Sequence, residues 1–392
     1  MKKMYQVIVA VGLLLGLVAC SSDKPVHTPA PTPEFKNQFH PQKLWEVSIG
    51  DGVGNYYSQL RPVVDDQHVY AADRAGTVAA FDLQGKRIWR NDLTDLPDSK
   101  QYTKDSSLRI SGGLLAANQM IYLGTENADF FALDAATGKL KWHQSMPGEV
   151  IAAPTFSSGN LYVITNSGHL LSMDATTGRI QWNISLDQPA LTLRGKAVPV
   201  VTNGIIILGR SNGSVSIFSQ ESGQQLFSSQ LAISGGTTQL EQLVDADSQP
   251  VVVGSELYAV AYNGSLVAIN LQDGQRVWRR TYSAYQDIAV SGGEIFMTDS
   301  RSHVIDVDRF SGQPKWQLSA LQYRNVTAPA VDGDYVLVGD QKGYLYWINR
   351  DTGTFVSKLE LDSDGLYIAP LVTENEIIIQ TRSGKLIAFK RA

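Results

Sequence analysis

A motif that could support nucleophilic catalysis occurs at residues 209–213, Gly-Arg-Ser-Asn-Gly. It matches the G-x-S-x-G pattern, in which a serine sits on a sharp turn between a strand and a helix. Here the run joins two stretches of alternating apolar residues, and no helical pattern follows it. It also aligns with other turns of the chain, such as Tyr262-Asn263-Gly264. The sequence therefore predicts a turn between strands here, not a catalytic serine.

Histidine and carboxylate side chains show no recognisable metal-binding spacing. The six histidines are scattered, without an H-E-x-x-H or comparable pattern. Asp245 and Asp247, like Asp306 and Asp308, place two carboxylates on one side of an extended segment. Such a pair could bind calcium, but neither has the rest of a calcium-binding loop. Solvated or partner-facing carboxylates are the favoured interpretation, and we predict no metal and no cofactor.

Composition excludes several classes of function. The 392 residues include 33 basic and 38 acidic side chains, a net charge of −5, which argues against a general nucleic-acid binder. The one cysteine, Cys20, excludes an internal disulfide, a cysteine-rich metal site and paired-thiol redox chemistry.

The first residues explain this cysteine. A positively charged start and an apolar run lead into Leu17-Val18-Ala19-Cys20, so residues 1–19 are predicted to be a cleaved signal peptide. Leu-Val-Ala-Cys resembles the bacterial lipobox, which implies acylation of Cys20 and anchoring to a membrane. Ser21, rather than Asp, then favours release to the outer membrane. An ordinary secreted protein with a chance cysteine is the alternative.

The chain after Cys20 divides into two parts. Residues 20–34 are rich in Pro, Ser, Thr and Ala, so they are predicted to form a flexible, lipid-anchored tether. Residues 35–392 are predicted to form a single folded domain.

One template recurs through this domain: a turn glycine, an alternating apolar strand, Asp, a Thr-Gly turn, then an aromatic residue. Four short strands every ~40–45 residues are typical of a propeller blade. The copies lie at residues 76–89, 128–142, 168–182, 213–227, 264–278, 302–316, 343–357 and, truncated, 384–392.

The two ends of the domain complement each other. The last copy stops after its third strand, Leu386–Phe389, whereas residues 43–47 supply a fourth strand that lacks its blade. We therefore predict an all-β fold, an eight-bladed β-propeller of four-stranded blades, closed by the N-terminal strand that completes the last blade.

Two recurring residue types have structural interpretations. Six of the seven tryptophans occupy the aromatic position of the template, where we expect them to pack between blades rather than bind a ligand. The aspartates after the third strand, including Asp82, Asp134 and Asp174, are predicted to cap the following turn.

Two neighbouring connections between blades are unusually long, at residues 182–199 and 227–250. The first carries Leu191, Leu193 and Arg194, and the second carries Asp245 and Asp247. Apolar side chains beside an arginine and paired carboxylates suit a protein interface with apolar anchors and a charged rim. Packing of both leucines into the blade is the alternative.

Several motifs carry a family resemblance. The repeat resembles the PQQ-like propeller repeat. The chain as a whole is similar to the BamB family, lipoprotein subunits of the outer-membrane β-barrel assembly machinery. Beyond the lipobox, the similarity covers segments outside the generic repeat, at residues 50–58, 70–76, 191–195, 260–264 and 338–349.

This resemblance implies a non-enzymatic scaffold at the outer membrane that faces the periplasm and binds the POTRA domains of BamA. It implies a binding surface at Leu191, Leu193, Arg194, Asp245 and Asp247. The leucines would anchor, Arg194 would donate a charge-assisted hydrogen bond, and the aspartates would order the loop or form an ion pair. Exposed strand edges could also pair with unfolded outer-membrane β-barrel substrates.

Two other classes of function stay open on the sequence alone. A periplasmic PQQ-dependent dehydrogenase shares the repeat, but such enzymes are generally longer and use a calcium site and often a vicinal cysteine pair. A propeller that binds a ligand in its central funnel is the second alternative.

Overall fold

The computed structural model describes residues 27–95, 107–195, 197–235, 237–238 and 241–391. In this part of the chain, strands form eight separate four-stranded antiparallel sheets, one for each predicted blade. The expected all-β, eight-bladed propeller is confirmed. Cys20 and the predicted signal peptide lie outside the described residues.

The first strand in the chain, β1 (Lys43–Ser48), belongs to the last blade. Blade 1 comprises β2 (Val63–Val64), β3 (His68–Ala72), β4 (Thr77–Asp82) and β5 (Arg87–Asp92), and blade 2 comprises β6 (Leu115–Ala117), β7 (Met120–Gly124), β8 (Asp129–Asp134) and β9 (Leu140–Ser145). Blade 3 comprises β10 (Thr155–Ser157), β11 (Asn160–Ile164), β12 (His169–Asp174) and β13 (Ile180–Ser185), and blade 4 comprises β14 (Val200–Thr202), β15 (Ile205–Arg210), β16 (Ser214–Ser219) and β17 (Gln225–Gln230).

Blade 5 comprises β18 (Val251–Val253), β19 (Glu256–Val260), β20 (Ser265–Asn270) and β21 (Arg276–Thr281), and blade 6 comprises β22 (Ala289–Ser291), β23 (Glu294–Thr298), β24 (Val304–Asp308) and β25 (Pro314–Leu318). Blade 7 comprises β26 (Ala330–Asp332), β27 (Tyr335–Gly339), β28 (Tyr344–Asn349) and β29 (Phe355–Glu360), and blade 8 comprises β30 (Leu371–Val372), β31 (Glu376–Gln380), β32 (Lys385–Lys390) and β1. No helix among the described residues is long and apolar enough to cross a membrane.

The ring closes as the repeats predict. β1 pairs antiparallel with β32, so that Trp45 lies opposite Ala388 and Val47 opposite Leu386. The N-terminal strand therefore completes blade 8, and the third strand of that blade is not left as an open edge.

The recurring tryptophans join neighbouring blades. The indole N–H of Trp89 in blade 1 donates to the carbonyl of Ala135 in blade 2 at 2.8 Å. The ring covers Gly138 so closely that a Cβ there would lie 2.5 Å from Trp89, and that glycine has a φ of +69°. Only glycine fits such a contact without strain. The predicted packing of the tryptophans between blades is confirmed.

The aspartates after the third strands cap turns. Asp134 Oδ1 accepts hydrogen bonds from the backbone N–H of Thr137 at 2.9 Å and from its hydroxyl at 2.7 Å. Asp174 makes the same pair of contacts with Thr177, at 2.7 and 2.8 Å. These bonds satisfy the turn backbone, as the sequence predicts.

Blade 7 reverses the usual size pattern. In most blades a tryptophan on the fourth strand faces a small residue on the third, as Trp89 faces Ala80. In blade 7 the tryptophan is Trp347 on the third strand, and it faces Ser357 on the fourth. The N-terminal segment, residues 27–42, supplies Phe39, which packs edge-on against Trp347 at 6.1 Å between ring centroids.

The same N-terminal segment hydrogen-bonds to the outer edge of blade 7. The backbone N–H of Gln38 donates to Val356 O at 2.9 Å, and the Asn37 side chain bonds both backbone groups of Lys358 at 2.9 and 3.1 Å. Further along, the buried Arg324 donates to Ala30 O at 2.8 Å. The last part of the expected tether is thus held against the ring, while the boundary at residue 34 stays a prediction.

Asp306 occupies an unusual place in this packing. It faces Trp316 in blade 6, where Ala80, Ala132 and Ala268 stand in other blades. Its side chain is completely buried, and neither carboxylate oxygen has a hydrogen-bond partner. The prediction of solvated carboxylates is therefore wrong for this residue.

Replacing Asp306 with Ala is expected to stabilise the propeller above pH 6. Burial, reinforced by the charge of Glu294, raises the pKa of Asp306 to about 6. The folded state therefore binds a proton more tightly than the unfolded state, so ionisation lowers stability progressively from about pH 4 and fully above about pH 6. A raised pKa of this size corresponds to about 2–3 kcal/mol.

Urea unfolding at pH 5 and pH 7.5 would measure this effect. The stability difference between Asp306→Ala and wild type should be larger at pH 7.5 than at pH 5. Replacing the neighbouring Asp308, which caps a turn through Ser311 at 2.7 Å, should instead destabilise at both pH values. A pH-independent difference for Asp306→Ala would contradict the prediction.

Candidate functional site

The two long connections lie side by side on one face of the ring. In each blade, the second-to-third-strand turn and the connection to the next blade emerge at the same end of the antiparallel strands. The 231–250 connection pairs with two of these turns: Ala246 N–H donates to Arg210 O at 3.1 Å, and Tyr262 N–H donates to Asp245 O at 2.7 Å. We call this end of the ring the loop face.

Asp245 and Asp247 lie beneath the 186–199 connection. Asp245 is completely buried, and its Oδ2 accepts a hydrogen bond from the backbone N–H of Leu193 at 2.9 Å. Asp247 is 6% exposed and packs against Gly195, where a Cβ would lie 2.4 Å from its Oδ2. The prediction of solvated carboxylates is wrong here: both aspartates are buried and face the loop that they support.

Tyr57 extends this buried support. Its hydroxyl lies close enough to Gly195 that a Cβ there would be 2.9 Å away, although 41% of the residue is exposed. Burial of the hydroxyl raises the pKa of Tyr57, and the charges of Asp247 and Asp287 raise it further. The phenol therefore stays neutral as part of the support for the loop.

The leucines of the loop differ in exposure. Leu191 is 40% exposed, whereas Leu193 is half-buried and its backbone is held by Asp245. The alternative that both leucines pack into the blade does not hold for Leu191. An exposed leucine on a loop with a fixed backbone is suited to anchor a partner.

Arg194 is half-exposed and already paired. Its Nη2 lies 2.9 Å from Glu126 Oε2 and 3.9 Å from Glu149 Oε2, and 46% of its side chain is accessible. Both carboxylates belong to blades before the loop, since Glu126 lies in the β7–β8 turn and Glu149 follows β9. Part of the guanidinium stays available to a partner.

Sequence reasoning missed Arg74 and Glu126. Both nitrogens of the Arg74 fork donate to the Glu126 carboxylate, at 2.7 and 3.0 Å. The two residues follow Asp73 and Thr125, so they occupy equivalent turn positions in blades 1 and 2. Opposite charges at one position of adjacent repeats are a signal that could have found this pair.

These side chains border an open cavity of about 1090 Å³ on the loop face. Its wall includes residues 51–57, from the loop between β1 and β2. The cavity is polar and charged, and its lining includes Tyr56, Tyr57, Arg74, Arg109, Glu126 and Arg194.

The centre of the ring offers much less space. A cavity of about 80 Å³ lies there, bordered by Tyr285, Asp287 and Tyr367 among others. Pockets that enclose a drug-sized ligand are usually about 300 Å³ or larger. Within the described ranges, no three His, Cys, Asp or Glu side chains gather as a metal-binding group.

The candidate nucleophile motif is a turn, as predicted. Ser211 is 2% exposed, and β16 begins at Ser214 directly after the motif. The strand–turn–helix context that a nucleophile elbow requires is not present at residues 205–219.

Comparisons with known proteins agree with this architecture. The family described as "Outer membrane protein assembly factor BamB" matches residues 74–318 and 321–392. The BamB of Yersinia pestis is 39% identical over 385 residues, which cover 98% of each chain. The BamB of Escherichia coli K12 is 37% identical over 385 residues, covering 98% of this chain and 97% of the relative.

Solved structures show the same fold. The crystal structure of BamB from Moraxella catarrhalis has a TM-score of 0.80 at 22% identity and covers 90% of this chain and 100% of its own. Quinohemoprotein alcohol dehydrogenase from Comamonas testosteroni has a TM-score of 0.68 at 13% identity, covering 89% of this chain and 76% of its own. The propeller alone thus serves both assembly factors and enzymes. The family match and the full-length relatives show that the chain belongs to the BamB family of outer membrane protein assembly factors.

Proposed function

We propose that this chain is a non-enzymatic scaffold subunit of the outer-membrane β-barrel assembly machinery and binds the POTRA domains of BamA through its loop face. Family membership supports the assembly role. The observation that carries the binding site is the hydrogen bond from Leu193 N–H to the buried Asp245. This bond fixes the loop that presents Leu191 and Arg194, so little conformational entropy is lost when a partner binds.

The five residues predicted to bind the partner then divide into two roles. Leu191 contributes an exposed apolar anchor, and Arg194 a charge-assisted hydrogen bond to the partner. Leu193, Asp245 and Asp247 hold the loop from below. Edges of the outer strands could in addition pair with unfolded outer-membrane proteins during their assembly.

The proposal includes an anchor at the outer membrane. Cleavage after residue 19 and acylation of Cys20 would leave the propeller on the periplasmic side, tethered to the bilayer. Mass spectrometry of the membrane fraction would test this: a mature N-terminal peptide with diacylglycerol and an N-acyl chain is expected, and a Cys20→Ser variant should be released.

A pull-down with the periplasmic region of BamA tests the binding surface. The chain without its lipid should be retained. Arg194→Glu should reduce retention at least about tenfold, since its negative charge would repel the group on the partner that accepts the hydrogen bond of Arg194. Arg87→Glu, an exposed arginine at the opposite end of the ring, is the matched control. No retention of wild type would contradict the proposed function, and equal retention of Arg194→Glu would contradict the site.

The absence of enzymatic activity is also part of the proposal. The central cavity of about 80 Å³ and the buried Ser211 support it. Incubation with PQQ, calcium and an alcohol should give no reduction of a redox dye above a protein-free control. Protein-dependent dye reduction would instead favour a dehydrogenase.

A further inference from the structure

A single carboxylate joins the candidate binding loop to a different part of the ring. Glu126 belongs to blade 2, yet its Oε2 lies 2.9 Å from Arg194 Nη2, on the connection between blades 3 and 4. The Glu126 side chain is 7% exposed, whereas that of Arg194 is 46% exposed. A buried carboxylate thus holds an exposed guanidinium by an ion pair.

Arg74 holds this carboxylate from the other side. Its fork donates two hydrogen bonds to Glu126, a geometry that fixes both the position and the plane of the carboxylate. Burial alone would raise the pKa of Glu126, but the hydrogen bonds and charge of Arg74, with the charge of Arg194, bring it below its ordinary value. Glu126 is therefore ionised at neutral pH and keeps its attraction for Arg194.

The network also reaches an exposed aromatic residue. The Arg74 guanidinium lies 4.3 Å from the centroid of the Tyr56 ring, and Tyr56 is 63% exposed. The backbone beneath it is fixed by Arg382, which donates to the carbonyls of Gly54 at 2.7 Å and of Tyr56 at 3.2 Å. Tyr56 is thus a positioned aromatic side chain on the same cavity wall as Arg194.

We propose that Glu126 is a positioning residue for partner binding, which presets Arg194 directly and Tyr56 through Arg74, so that the contact surface extends from the 191–194 loop to blade 1. This inference rests on the proposed function of the loop face. A free arginine side chain would lose conformational entropy when the partner binds. Glu126 already restricts Arg194 in the unbound protein, so less entropy is lost on binding. The partner it fits is a folded domain broad enough to touch Leu191 and Tyr56 together.

A double-mutant cycle with Glu126→Gln and Arg194→Ala separates positioning from a general structural role. Affinity for the BamA periplasmic region would be measured calorimetrically for wild type, both single variants and the double variant, with the melting temperature of each. Glu126→Gln should weaken binding about three- to tenfold, the effect of losing one preset side chain. In the Arg194→Ala background it should weaken binding by a clearly smaller factor, because only its effect on Tyr56 through Arg74 remains.

Each outcome has a defined meaning. Wild-type affinity for Glu126→Gln, or equal weakening in both backgrounds, would overturn the positioning role while leaving the proposed function intact. No binding by wild type would instead defeat the proposed function itself. Rescue by Glu126→Asp to within about threefold of wild type would support the need for a charge at this position.

Tyr56→Ala tests the extent of the surface. It should weaken partner binding at least about fivefold, as expected for an aromatic contact residue. Phe310→Ala is the matched control, since Phe310 is 62% exposed in the β24–β25 turn at the opposite end of the ring. Equal affinities for these two variants would restrict the surface to the 191–194 loop.

Discussion

A variant that lacks residues 44–49 is expected to lose most of the stability of the whole ring, not only of blade 8. Without this strand the third strand, β32, becomes an open edge, since β1 is its partner along Lys385–Phe389. Trp45 also donates its indole N–H to Leu83 O of blade 1 at 3.0 Å, so the deletion breaks the contact that closes the circle.

The size of the effect follows from the side chains removed. Ile49 is 1% exposed, and Trp45 and Val47 are partly buried against the same core cluster. Burial of one large apolar side chain contributes about 1.5–3 kcal/mol, so the deletion should cost about 5–8 kcal/mol. Because folded domains are stable by about 5–15 kcal/mol, this loss removes most of the stability of the ring.

Calorimetric melting and gel filtration would measure this loss. The exposed Leu44, 46% accessible, offers a control on the same strand: Leu44→Gln should leave the melting temperature nearly unchanged. A synthetic peptide of residues 41–50 should restore part of the lost stability by pairing with β32. An unchanged melting temperature for the deletion would rule out the closure argument.

The repeating features could be read from the sequence because each blade solves the same packing problem. The tryptophans, the capping aspartates and the incomplete last repeat together define the blades and their closure. Local periodicity suffices for these features, since each is decided by contacts within one blade or with the next blade.

Features decided by contacts between distant segments could not be predicted in this way. Asp-Ala-Asp at 245–247 shows that two carboxylates share a side, but not that this side faces the buried underside of another loop. In the Arg74–Glu126–Arg194 network, Arg74 and Glu126 occupy equivalent turns of adjacent repeats, but Arg194 lies on a long connection that has no counterpart in the repeat. Periodicity carries no information about such contacts.

Blade 7 shows a third limit. The template has no aromatic residue at Ser357, which signals a departure but not its compensation. The structure compensates twice, with Trp347 on the opposite strand and with Phe39 from the N-terminal segment. A proline-rich segment gives no sequence signal for such docking, because its contacts are made by isolated side chains and backbone groups.

Arg324→Ala is expected to destabilise the propeller by about 3–5 kcal/mol, the cost of leaving one partner of a buried ion pair alone. Arg324 is 3% exposed and lies 2.7 Å from Asp340, which is completely buried. Asp340 Oδ2 also accepts the Tyr346 hydroxyl at 3.0 Å, a neutral bond that does not replace the lost charge. The same guanidinium holds Ala30 O at 2.8 Å, so the N-terminal segment should loosen as well.

Chemical denaturation and hydrogen exchange together distinguish these two effects. The amide of Ala30, bonded to Gln322 O at 2.9 Å, should exchange faster in Arg324→Ala than in wild type. Arg301→Ala, an exposed arginine in the β23–β24 turn of blade 6, should alter neither measurement. Arg324→Met combined with Asp340→Asn removes both charges and keeps a polar turn cap, so it should recover at least half of the lost stability. If the double variant were as unstable as Arg324→Ala, the stranded carboxylate would not be the cause, and the docking of the N-terminal segment would have to account for the loss.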